Sequence, residues 1–163
     1  MNNRSRVAFL GLFTAFAMIL SFVESQIPTF VAIPGIKLGL PNIAIIIILY
    51  RFGWKEASII SLLRVILTSL LFGTVLSMLY SIAGAVLSLV AMILLKKVLS
   101  TVTISVIGGV CHNIGQILVA ILVTETQQLL YYLPVLIISG VIAGIVVGII
   151  AALSVKKIEK IDL

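Results

Sequence analysis

Apolar residues run through this chain in long blocks, separated by short clusters of Gly, Pro, Lys, Arg and Gln. The blocks fall at about residues 7–27, 38–50, 57–72, 74–95, 102–123 and 130–153, and predict six helices. Most approach or exceed the ~20 apolar residues that carry a helix across a ~30 Å hydrocarbon layer. The second is short: as a helix, 38–50 reaches only ~20 Å at 1.5 Å per residue, so another segment must complete that span. The third and fourth blocks run together around Gly73-Thr74, where a tight turn is expected. The expectation is an all-α membrane protein, with six transmembrane helices in one bundle and residues 1–163 forming a single integral membrane domain.

The long break in the first half is Ile33-Pro34-Gly35-Ile36-Lys37-Leu38-Gly39-Leu40-Pro41-Asn42. Two prolines remove backbone donors, and the residue before each is pushed away from helical geometry, so regular helix cannot run through this stretch. Irregular backbone at membrane depth survives only where protein covers it or where it lines a cavity. The stretch is therefore expected to dip inward and help close a site, with Pro34, Gly35, Gly39 and Pro41 shaping a lid. Lys37 supplies its charge, and Asn42 at its end is counted with the binding residues. A surface turn that only reverses the chain is the alternative.

Composition agrees with the membrane assignment: 62% of residues are hydrophobic and 10% charged, against ~25% charged in soluble domains. A net charge of +6 invites a nucleic-acid reading, but the basic residues stand singly or in pairs at the ends of apolar blocks. Arg4, Arg6, Arg51, Lys55, Lys96, Lys97, Lys156, Lys157 and Lys160 fall on one side and Lys37 on the other. That bias places both termini in the cytoplasm and the Pro/Gly stretch outside, as in a multi-pass protein of a prokaryotic plasma membrane. Arg4 and Arg6 ahead of an apolar run resemble a signal peptide, but the run continues past Ala15-Phe16-Ala17 to Ile27, so cleavage there is not expected. The single Cys111 can form no internal disulfide.

Arg64, near the middle of the third block, carries an insertion cost of roughly 2.5–3.5 kcal/mol, so it needs a partner. Ser61 and Thr68 lie on its helical face. Its guanidinium either pairs inside the protein or holds an anionic ligand through its fork of donors. The fifth block contains Gly108-Gly109-Val110-Cys111-His112-Asn113-Ile114-Gly115-Gln116, the densest polar cluster in any span. His112 and Gln116 are one turn apart with Asn113 beside them, at a depth similar to that of Arg64. The cluster either recognises a flat polar molecule or supplies interhelical hydrogen bonds worth ~0.6 kcal/mol each. Glu24 is expected to pair with Lys37 or Arg64. No catalytic residue, metal or cofactor is expected: there is no Gly-x-x-x-x-Gly-Lys-Ser/Thr phosphate loop, and Asp162 is the lone aspartate, so no aspartate cluster can hold Mg²⁺.

Small residues mark helix packing. Gly140, Gly144 and Gly148 stand four apart in the last block, a stripe that lets another helix approach closely, within this chain or from another protein. The motifs Pro34 to Asn42, Leu71-Phe72-Gly73 with Leu79-Tyr80-Ser81-Ile82-Ala83-Gly84, and Gly108 to Gln116 together resemble the Gx transporter family, also catalogued as membrane heptaprenyl diphosphate synthase component I. The family in turn resembles the substrate-binding S components of energy-coupling factor importers. That likeness implies a six-helix bundle whose outer loop after the first helix closes over a ligand near the outer face. From the residues themselves, Lys37, Arg64, His112, Asn113, Gln116 and Asn42 are expected to bind a small anionic, vitamin-like or quinone/isoprenoid-related compound. The likeness implies partners as well: a coupling protein docked on small residues of the first helix, here Gly11 and Ala15, and two ATPase subunits. Glycine replaces the more usual alanine at the first of these positions. Two alternatives stand beside it. One is a non-catalytic membrane accessory subunit of heptaprenyl diphosphate or menaquinone synthesis, and the other a channel-like oligomer joined through the Gly140, Gly144 and Gly148 stripe.

Overall fold

The computed structural model describes residues 3–26 and 39–158. Six α-helices stand where the six apolar blocks predict them: α1 Asn3–Gln26, α2 Asn42–Arg51, α3 Trp54–Phe72, α4 Val75–Leu95, α5 Thr101–Thr124 and α6 Leu133–Ile158. A 3₁₀ helix, Gln127–Tyr132, joins α5 to α6. Among the described residues four segments are long and apolar enough to cross a membrane, Arg4–Gln26, Val75–Leu95, Thr101–Thr124 and Gln127–Ile158. The chain is a membrane protein. Helix α3, at 19 residues, is ~29 Å long at 1.5 Å per residue, but carries Lys55, Glu56 and Arg64. The expected tight turn is present: α3 ends at Phe72, and the Thr74 side chain accepts from Ser77 N while Ser77 Oγ accepts from Thr74 N. This reciprocal cap restarts the helix within two residues.

Helix α2 is the axis of the bundle. Its seven consecutive residues Ile43 to Leu49 are all buried, as expected of a helix that is apolar all round. It packs against α1, α3, α5 and α6. Around it the pairs α1 with α3, α3 with α4, α4 with α5 and α5 with α6 form an arc. Ala57, Ile60, Leu89, Met92, Ile104, Val147 and Ala151 complete the core against α2. Large apolar side chains on the outer helices, such as Leu12, Leu70, Leu94, Leu122 and Ile142, are exposed. Hydrocarbon solvates such a surface, whereas water would penalise it.

The Gly140, Gly144 and Gly148 stripe packs on α5 of the same chain. A Cβ added at Gly144 would stand 2.5 Å from Val106 Cα, at Gly148 2.8 Å from Val102 Cα, and at Gly140 3.0 Å from Val110 Cα. The pairing of rising with falling numbers makes α5 and α6 antiparallel. This contact removes the channel-like reading in which the stripe joins separate copies. The opposite side of α5 is pressed as closely on α4, where a Cβ at Gly115 would lie 2.8 Å from Ala83 O and one at Gly84 2.8 Å from His112 O.

Alternating directions gather the described basic residues other than the buried Arg64 at one end. Arg6 of α1 pairs with Glu56 at the start of α3, Lys96 after α4 donates to Leu49 O near the end of α2 at 3.3 Å, and Tyr50 and Arg51 share a cavity with Val155 and Ile158 of α6. The start of α1 and the end of α6 therefore lie at the same end of the bundle. Gly39 and the N-terminus of α2 lie at the other.

Candidate ligand-binding site

The foot of the Pro/Gly stretch is a turn that only some residues can make. Gly39 has φ +70°, a left-handed conformation that favours glycine. Its carbonyl accepts from Asn42 N at 2.9 Å, and Pro41 O accepts from Ala44 N at 3.1 Å, which starts α2. Pro41 is fully buried and loses nothing by lacking an N–H at a helix start. The Gly39 N–H donates to Glu24 Oε1 of α1, tying the turn to the first helix. Lys37, Pro34 and Gly35 lie outside the described residues.

Two polar groups surround this turn. In the first, Asn42, His112 and Asn113 line a cleft with Gly39, Ser105, Gly109, Gly140 and Gly144, between α2, α5 and α6. Its volume is about 20 Å³, enough for one water. Asn113 is buried and its Nδ2 donates to Leu136 O of α6 at 2.7 Å, so this amide serves helix packing. His112 and Gln116 share a face, as their spacing predicts, and it lies over α4: a Cβ at Gly84 would come within 3.0 Å of both side chains. Gln116 Oε1 is buried and accepts no hydrogen bond among the described residues.

The second group is built on α1 and α3. Arg64 is 8% exposed, and its Nη1 donates to Ser21 Oγ across a long 3.4 Å. The Glu24 carboxylate attracts the guanidinium while holding Gly39, so one acid links the buried cation to the turn. Arg64 Nε has no acceptor among the described residues. Thr68, placed on the Arg64 face by spacing, bonds back to Arg64 O at 2.7 Å and adds nothing to the polar surface. Helices α3 and α5 both pack on α4 and are not packed on each other, so equal depth in sequence does not bring Arg64 beside His112, Asn113 and Gln116. Ser21 and Glu24 were missing from the sequence-derived binding set. Their i, i+3 spacing on α1 is the signal that could have added them.

Among the described residues no group of three His, Cys, Asp or Glu side chains could hold a metal ion. On the outer surface of α1, Gly11 has nothing within 4 Å of an added Cβ, and Ala15 is exposed on the same face. Residues 13–154 match the family described as heptaprenyl diphosphate synthase component I. The chain belongs to that family. The match covers most of the sequence, and Arg64, the 39–42 turn and the α5 cluster all fall within the matched residues. No curated protein and no solved structure matches the chain.

Proposed function

We propose that this protein is the substrate-binding subunit of an energy-coupling factor importer, which takes up a small anionic, vitamin-like or quinone/isoprenoid-related compound. In this reading all six helices cross the plasma membrane, α2 and α3 spanning with the help of their neighbours and of the Pro/Gly stretch. Both termini are cytoplasmic, following the basic end, and the 39–42 turn faces outward.

The observation that carries the reading is Arg64: a permanently charged fork, buried within the bundle, with one long hydrogen bond, an unused Nε–H, and an acid that also grips the foot of the Pro/Gly stretch. A buried cation left so incompletely bonded is costly for stability, and an anionic ligand would complete it through the guanidinium fork. Binding such a ligand would draw on the same Glu24 that holds the turn, which couples site occupancy to the position of the lid. Lys37 adds a second positive charge from the lid, Gln116 Oε1 is an unused acceptor, and His112, Asn113 and Asn42 border the adjoining cleft. Vitamin-sized ligands occupy pockets of ~300–1,000 Å³, so the cleft must widen as the lid moves. The exposed Gly11 and Ala15 face of α1 is where a coupling protein would dock, and two partner ATPases would supply the hydrolysis.

The test is the profile of small molecules that stay with the tagged protein through mild-detergent purification. Arg64→Gln and Lys37→Gln should each lose the compound retained by the wild type while eluting as folded protein. Full retention in both variants would sink the assignment.

The family's description favours one other reading, a membrane accessory subunit of heptaprenyl diphosphate synthesis. That role requires the ligand to enter from the basic end or the adjacent leaflet, whereas the importer requires entry beside Gly39.

A further inference from the structure

At the basic end, several cations are already engaged. Arg6 pairs with Glu56, Lys55 stands over the Trp54 ring at 5.7 Å, and Lys96 caps the Leu49 carbonyl. Arg51 has no ion pair or hydrogen bond among the described residues, and it borders a cavity of about 90 Å³. That is several times the ~10–15 Å³ one water needs. Ile47, Tyr50 and Arg51 line it from one face of α2, and Val155 and Ile158 from one face of α6. The result is a cationic and hydroxyl-bearing rim over an apolar floor.

We propose that this cavity seats the phosphate of an anionic phospholipid from the leaflet at the basic end. The Arg51 guanidinium matches two phosphate oxygens bidentately, Tyr50 supplies a hydroxyl donor, and Ile47, Val155 and Ile158 receive the first apolar atoms beyond the headgroup. The negative ends of α2 and α6 oppose an anion here. Lys96 on Leu49 O and the exposed Lys156 and Lys157 in the last turn of α6 offset them. The source is a lipid rather than a soluble phosphate because Ile47, Val155 and Ile158, three of the five lining residues, are apolar and would receive the apolar atoms beyond a headgroup, which a free phosphate lacks. Basic pockets between membrane helices on the cytoplasmic side hold lipid headgroups by the same chemistry. The proposal is independent of the ligand site around Arg64.

Native mass spectrometry of the full chain in detergent tests it, with phosphatidylglycerol, phosphatidylcholine and inorganic phosphate as probes. The wild type should retain phosphatidylglycerol in preference to phosphatidylcholine. Arg51→Gln should weaken that retention about fivefold, the effect of one cation beside an anionic surface. Lys97→Gln, the same charge change at the same end, should leave it nearly unchanged. Val155→Phe fills the cavity without altering charge and should also lose the lipid. Equal loss in Arg51→Gln and Lys97→Gln, or wild-type retention in Val155→Phe, would overturn the proposal by reducing it to diffuse attraction. Displacement of the lipid by millimolar inorganic phosphate would overturn the lipid assignment in favour of a free phosphate.

Discussion

Replacing Gly144 by alanine drives one methyl group into the closest approach made at any described glycine. The new Cβ would lie 2.5 Å from Val106 Cα and 2.9 Å from Ser105 O and Val106 N. Carbon atoms rest ~3.5–4.0 Å apart, so α6 must withdraw from α5 by about 1 Å at this level. All three obstacles are backbone, and no rotamer change relieves them. Overpacking of this kind costs ~1–3 kcal/mol, and the rigid obstacles put Gly144→Ala at the upper end. Alanine returns ~1 kcal/mol of helix propensity, which leaves a net loss of ~2 kcal/mol. Gly11→Ala supplies the control, because nothing lies within 4 Å of its Cβ; it gains the propensity without the clash. The two variants should therefore differ by ~3 kcal/mol in reversible unfolding from mixed micelles, followed by far-ultraviolet circular dichroism. Gly148→Ala, at 2.8 Å from Val102 Cα, and Gly140→Ala, at 3.0 Å from Val110 Cα, should fall between them in that order. A Gly144→Ala protein as stable as Gly11→Ala would refute the packing of α6 on α5.

Three other outcomes follow from the bonds described. Glu24→Gln leaves Arg64 without its nearby carboxylate and should lower thermal stability by ~1–3 kcal/mol. Combining it with Arg64→Met should recover much of that loss, and strictly additive effects would show that the two residues are not coupled. Asn113→Leu removes the bond to Leu136 O and should cost ~0.6 kcal/mol and no more than ~1.7 kcal/mol; a larger loss on chemical unfolding would mean that Asn113 holds more than the α5–α6 contact. Thr74→Ala breaks the reciprocal cap with Ser77 and should cost ~1 kcal/mol, seen first as faster hydrogen exchange in the opening turn of α4.

Much of the fold was legible because apolar block length and helix length are set by the same hydrophobic surface. Each of the six blocks became a helix, and Gly73-Thr74 became the turn that its small, capping side chains allow. Burial was less legible. Nothing in the composition of 43–49 separates a central helix from a lipid-facing one, since both are apolar all round; its shortness was the available sign. The Gly140, Gly144 and Gly148 spacing announced a close contact but not its partner, because a stripe of small residues fits any helix of matching surface. At the site, periodicity put His112 and Gln116 on one face, which holds. It could not tell that α4 separates α3 from α5, so residues of equal depth fell into two groups instead of one. The attraction of Glu24 for Arg64 was among the pairings expected of it, but its hold on the Gly39 N–H joins segments far apart in sequence, a relation that spacing along one helix does not encode.

The most direct measurement is affinity purification of the tagged protein from its native membrane in mild detergent, with mass spectrometry of whatever proteins accompany it. The importer account predicts one membrane coupling protein and two ATPases, lost when Gly11 and Ala15 on the exposed face of α1 are replaced by leucine. Recovery of a prenyltransferase with no ATPase, unaffected by those replacements, would contradict it.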